Sequence, residues 1–155
     1  MPDAQPRTEP PAFVPRTRSR QGRTEIFDVL RRRWVCLTPE EGVRQYFVHC
    51  LTGQLGYPPA LLANEVSLMV GGVRRRCDTL LYHPRSVRPR MVVEYKAPGV
   101  AISQQTFIQI QSYNNVLRAD YLTVTNGRQT FCCHMDYRTM QATFLERVPC
   151  YDDLA

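Results

Sequence analysis

The sequence predicts an α/β domain, a β-sheet flanked by helices. Three observations carry that expectation: a capped amphipathic helix near residue 38, a glycine-turned hairpin around residues 71–72, and a second helix interrupting the strands after residue 96. The 155 residues suit one ordinary domain, and 43% hydrophobic positions are enough for a real core. No apolar run approaches the roughly 18 residues needed to cross a bilayer, so no membrane span is expected. Residues 1–21 are basic with no apolar stretch behind them, so a secretory signal is not expected and a cytoplasmic location is.

Residues 1–24 hold five of the twelve prolines and five arginines, and they read as a disordered basic tail ahead of one folded unit, 25–155. Such a tail either touches nucleic acid nonspecifically or only solubilises the chain. Thr38-Pro39-Glu40-Glu41 is a helix start, with Thr as N-cap, Pro in the first turn and Glu41 positioned for a capping box. Val43, Tyr46, Phe47, Cys50 and Leu51 then mark its buried stripe until Gly53, Gly56, Pro58 and Pro59 end it. Residues 61–70 and 73–82 read as strands joined at Gly71-Gly72. After a polar loop come the apolar strand Met91–Lys96, a helix over 103–117, a buried strand over 120–125, the turn Asn126-Gly127, a strand over 130–137 and an edge over 143–148.

Net charge is +6 with a pI near 9.2, which fits a polyanionic partner. Nineteen of the twenty basic residues are Arg, and Lys96 is the single Lys. A lone Lys in such a chain marks a place where a compact ammonium is needed rather than a planar guanidinium.

Its neighbours are chemical. On strand Val92-Val93-Glu94-Tyr95-Lys96, Glu94 and Lys96 share one face and Val93 and Tyr95 the other. A carboxylate emerging from so apolar a run needs a cation or partner charge. Asp78, sixteen residues earlier, is on the preceding strand. Two carboxylates with the Tyr95 carbonyl make a hard-oxygen set suited to Mg²⁺, with Mn²⁺ as a substitute. An ammonium beside such an ion orients or deprotonates an attacking water. The alternative is an exposed Glu94–Lys96 ion pair, worth under about 1 kcal/mol. On the second helix Gln109 and Tyr113 share a face, apart from the apolar side marked by Phe107, Ile110 and Leu117. They either support the metal site or are a surface Gln with a half-buried Tyr.

Asp78, Glu94-Tyr95-Lys96 and Gln109-xxx-Tyr113, in this order, resemble the PD-(D/E)XK nuclease superfamily, in the branch carrying a QxxxY helix. Trp34-Val35-Cys36-Leu37-Thr38-Pro39-Glu40-Glu41 with Val43-Arg44-Gln45, Val93–Pro98, Tyr113-Asn114 and Tyr121–Gly127 look like the N-terminal nuclease domain of type I restriction enzyme R subunits in its stand-alone form, over roughly residues 26–151. The resemblance implies a restriction-endonuclease-like fold, a central mixed sheet flanked by helices, and metal-dependent hydrolysis of DNA phosphodiesters. It implies Asp78 and Glu94 as Mg²⁺ ligands, Lys96 as the group assisting water, and Gln109 and Tyr113 as supports. Many such nucleases carry an acid on the first helix; Glu41 is the candidate, with Glu40 behind it and Glu65 a weaker one, although helix capping accounts for both helix residues. No Gly-x-x-x-x-Gly-Lys-Ser/Thr motor motif occurs, so a restriction role requires separate subunits; a homodimer is a further possibility. The rivals are a DNA-binding or assembly module that keeps the fold without cutting, and an interaction protein in which Glu94 and Lys96 are structural.

Six cysteines show no C-x-x-C pair, so zinc is not expected and reduced thiols are. His49, His83 and His134 do not cluster. Arg74-Arg75-Arg76 and Arg31-Arg32-Arg33 either lean on a DNA backbone or are solvated strand faces.

Overall fold

The computed structural model describes residues 13–154. Six strands form a mixed sheet in chain order: β4 (Leu62–Val70), β5 (Val73–Tyr82), β6 (Pro89–Tyr95), β7 (Tyr121–Thr125), β8 (Thr130–Asp136) and β9 (Gln141–Phe144). All neighbours are antiparallel except β6 and β7, which run parallel, and helix α2 (Gln104–Leu117) makes the crossover between them. Gly71 and Gly72 both adopt positive φ (56° and 77°), the left-handed pair that a two-residue hairpin between right-twisted strands demands.

The sheet is buried on both faces. Helix α1 (Pro39–Gly53) packs Val43, Phe47 and Leu51 over Leu81, Met91, Val93 and Tyr95. On the opposite face α2 packs Phe107, Ile110 and Tyr113 over Leu80, Val92, Leu122 and Val124. Strand β6 therefore alternates: odd residues meet α1, even residues meet α2. Adjacent Cys132 and Cys133 divide between the same two cores, as the pleat requires, and all six cysteines are free thiols. Thr38 caps α1 by accepting the Glu41 N–H at 3.0 Å, but the Glu41 carboxylate does not return to the cap.

Two expectations need correction. The segment read as tail is not disordered throughout: β1 (Thr17–Arg20), β2 (Arg23–Asp28) and β3 (Arg33–Cys36) form a separate antiparallel sheet. Residues 17–24 escape a pattern reading because Arg alternates with Thr and Ser, and only Ile26 and Asp28 turn inward. The rest of that expectation, residues 1–12, lies outside the described residues. The edge strand β9 starts and ends earlier than the 143–148 expected, following a turn at Met140 (φ 57°). Among the described residues no helix is long and apolar enough to cross a membrane.

Candidate active site

The antiparallel register between β5 and β6 pairs Thr79 with Val93, which places Asp78 across from Glu94 one step beyond the last paired residues. There the strands separate. Asp78 Oδ2 accepts the Tyr95 N–H at 2.8 Å, and Oδ1 accepts Arg44 Nη2 at 3.1 Å. Glu94 shares its strand face with Val92, so it meets α2: Gln109 Nε2 donates to Glu94 Oε1 at 3.1 Å. Lys96 Nζ lies 3.4 Å from the same Glu94 oxygen and 3.2 Å from Gln109 Oε1. The Gln109 amide is thus read at both ends, and its Nε2 also reaches the Tyr113 hydroxyl at 3.3 Å.

Electrostatics single out the carboxylate pair. Burial, then the neighbouring Asp78 charge, push Glu94 up to about 7 in spite of Lys96. Asp78 is also held above the ordinary carboxylate range, by burial first and by Glu65 and Glu40, against the opposing pull of the Tyr95 N–H and Arg44. Burial and the same two carboxylates push the Cys77 thiol up to about 12, so it stays protonated. The Asp78 charge raises Glu94, and the cations at hand, Arg44 on Asp78 and Lys96 on Glu94, leave both carboxyls above their ordinary range.

A divalent ion would offset that charge further. Among the described residues no three or more His, Cys, Asp or Glu side chains gather as a metal cluster. The donor set is the carboxylate pair, and Mg²⁺ characteristically takes one or two carboxylates and keeps its waters. The residues therefore fit a hard, largely hydrated cation. Tyr95 enters this region through its N–H to Asp78, while its ring packs toward α1 and its hydroxyl donates to Thr79 at 3.0 Å.

Glu41 is linked to the pair only indirectly. Its Oε1 accepts from Arg31 at 3.0 Å and from Gln45 at 3.1 Å, and its Oε2 faces Arg44 Nη1 at 3.0 Å. Arg44, nearly buried, joins Glu41 to Asp78 and also to Glu65, 2.5 Å from Nη2. Arg44 belongs to the Val43-Arg44-Gln45 string of the family resemblance, but one Arg among nineteen carries no mark of a role; its i, i+3 spacing to Glu41 is the available signal. Glu65 is opposite Asp78 in the β4–β5 register and holds a left-handed φ of 58°, unusual for a strand residue. Arg76, from the exposed triplet, pairs with the other Glu65 oxygen at 3.2 Å. Tyr113 differs from expectation in one respect: its ring joins the apolar α2 core and only its hydroxyl turns to Gln109.

Residues 39–149 match the family model for the type I restriction enzyme R protein N terminus. A solved fragment assigned to the HsdR subunit of a type I restriction enzyme from Vibrio vulnificus YJ016 has a similar fold, with a TM-score of 0.55 and 24% identity over 76% of this chain. The chain spans 24% of the length of that structure. No curated protein matches the chain.

Proposed function

The chain belongs to the family of type I restriction enzyme R protein N-termini, and from that premise we propose that it is a divalent-metal-dependent nuclease hydrolysing DNA phosphodiesters. The observation that carries the proposal is the Asp78–Glu94 pair, both raised by burial and Glu94 also by the Asp78 charge, flanked by the only Lys in the chain. Asp78 and Glu94 would hold Mg²⁺ or Mn²⁺, with the Tyr95 carbonyl as a further oxygen donor. When bound, the ion would acidify a water and neutralise charge developing on phosphorus.

The chain's own residues supply the rest. Lys96 Nζ, a compact donor between Glu94 and Gln109, orients the attacking water and offsets negative charge in the transition state. Gln109 fixes the ammonium by accepting from it while donating to Glu94, and the Tyr113 hydroxyl anchors the amide. Arg44 holds the Asp78 carboxylate in place, with Glu41 and Glu65 balancing its charge; Glu41 thus acts at one remove. Separate restriction-system subunits would direct the activity to its target.

A second reading, a DNA-binding module that does not cut, draws support from the same Arg44, whose guanidinium already offers Asp78 a cation. Plasmid nicking separates the two. Wild type with Mg²⁺ or Mn²⁺ nicks or degrades supercoiled plasmid, and Lys96→Ala abolishes this while leaving thermal unfolding unchanged. Salt-dependent binding without cutting under any divalent ion would favour the binding module.

A further inference from the structure

The N-terminal sheet lies outside the residues that match the family, and the site described above makes no use of its outer face. Strand pairing assigns the two faces. Arg18 opposes Glu25, Arg20 opposes Arg23 and Phe27 opposes Trp34, while the Phe27 N–H donates to the Arg16 carbonyl at 2.9 Å. Arg16, Arg18, Arg20, Arg23, Phe27 and Trp34 therefore share one face, whereas Ile26 and Asp28, both buried, point the other way.

This outer face is strongly cationic and ordered. On it stand Arg16, Arg18, Arg20 and Arg23 against the single carboxylate of Glu25. Arg18 is paired with Glu25; Arg16, Arg20 and Arg23 form no ion pair among the described residues. Arg16 lies over the Phe27 ring at 4.4 Å and Arg18 over Trp34 at 4.4 Å, so their planar groups are held by aromatic faces rather than left to wander. Arg20 and Arg23 stand directly across the hairpin, where like charges oppose folding. Uncompensated charge, arranged against its own stability on an aromatic-backed face, is complementary to a row of phosphates.

The geometry points to the outer face of β1–β3 as a sequence-independent clamp for the phosphodiester backbone of DNA. The inference rests on the reading that DNA is the substrate, but it concerns grip rather than cutting. The sheet is tied to the catalytic end through buried Asp28, which accepts from Asn64 on β4 at 3.0 Å, and through Arg31 on Glu41. The sheet that carries this face is therefore joined to β4, the strand that holds Glu65.

The test measures binding of a fluorescent duplex of random sequence by anisotropy, in EDTA, from low to moderate salt. Each lost phosphate contact lowers the slope of log K against log salt by roughly 0.9. Arg20→Gln with Arg23→Gln removes a repulsive pair, so this variant folds at least as well as wild type, and its slope falls by about 2. Adding Arg16→Gln lowers it by about 1 more, and the Lys versions of all three substitutions keep most of the slope. An unchanged slope and affinity in the Gln variants overturns the clamp, as does a Lys variant that fails as badly as the Gln one, or a wild type that binds no DNA. Mg²⁺-dependent nicking of plasmid is scored separately. Nicking with no change in slope defeats the clamp alone, and arginine-dependent binding without nicking supports the clamp while defeating the nuclease reading.

Discussion

Replacing Glu94 by Gln should stabilise the metal-free protein while destroying its capacity to respond to metal. In the folded state this carboxyl is raised from 4.5 to about 7 by burial and by Asp78. A pKa above the unfolded value means that the native state keeps its proton where the unfolded chain releases it. Wild-type stability therefore declines as pH rises from about 4.5 to about 7, and the whole penalty is present at pH 8. At 1.36 kcal/mol per pH unit the penalty is about 3 kcal/mol. A Gln side chain carries no charge, still accepts from Gln109, and offers Asp78 an N–H in place of repulsion; the lost Lys96 contact at 3.4 Å is worth under about 1 kcal/mol. The net gain is about 2 kcal/mol, or roughly 4–8 °C in Tm for a chain of this size. Thermal unfolding in EDTA should show this difference at pH 8 and almost none at pH 4.5. With millimolar Mg²⁺ at pH 8, wild type should gain stability and Glu94→Gln should not. A variant that is less stable than wild type at pH 8, or a difference independent of pH, would show that burial and Asp78 do not raise the Glu94 carboxyl in the fold.

Three further outcomes follow from the same contacts. Lys96→Arg keeps the charge but replaces a point donor by a broad planar group between Glu94 and Gln109, so plasmid nicking should drop by at least about 100-fold at unchanged Tm; full activity would discredit the significance of the lone Lys. Asp28→Ala should cost about 3–5 kcal/mol in urea unfolding, because the buried carboxylate accepts from the Leu30 and Arg31 N–H groups, the Arg31 side chain and Asn64. Although burial opposes its ionisation, these donors hold Asp28 below its ordinary 3.8, so its stabilising effect is present above about pH 4 and is lost as pH falls through the depressed value. Thr38→Ala should cost about 1 kcal/mol in the same assay, since it removes the cap of α1.

Much of this arrangement was legible in the residues because local rules and tertiary packing agree. Helix α1 carries a capping signal and an apolar stripe, Gly71-Gly72 fits one turn class, and the alternation along β6 sends Glu94 and Lys96 to the α2 face with Gln109. What escaped has a common physical cause. The N-terminal sheet buries little, so its alternation is Arg against Thr and Ser rather than apolar against polar. The role of Arg44 depends on three carboxylates drawn from α1, β4 and β5, and no spacing in one segment announces such a convergence. Glu41 shows the reverse case: its position near the cap was readable, whereas its separation from Asp78 by an intervening guanidinium is a tertiary fact. The left-handed backbone at Glu65 likewise gives no warning in sequence, since Glu is not a residue that seeks it.

The central claim is that the carboxylates of Asp78 and Glu94 form a cation site, and a crystal soaked in Mn²⁺ addresses it most directly. The account predicts an anomalous peak between those two carboxylates, with Lys96 Nζ beside the ion's water shell, and its loss in Glu94→Gln. A soaked crystal with the two carboxylates still side by side and no peak between them would contradict it.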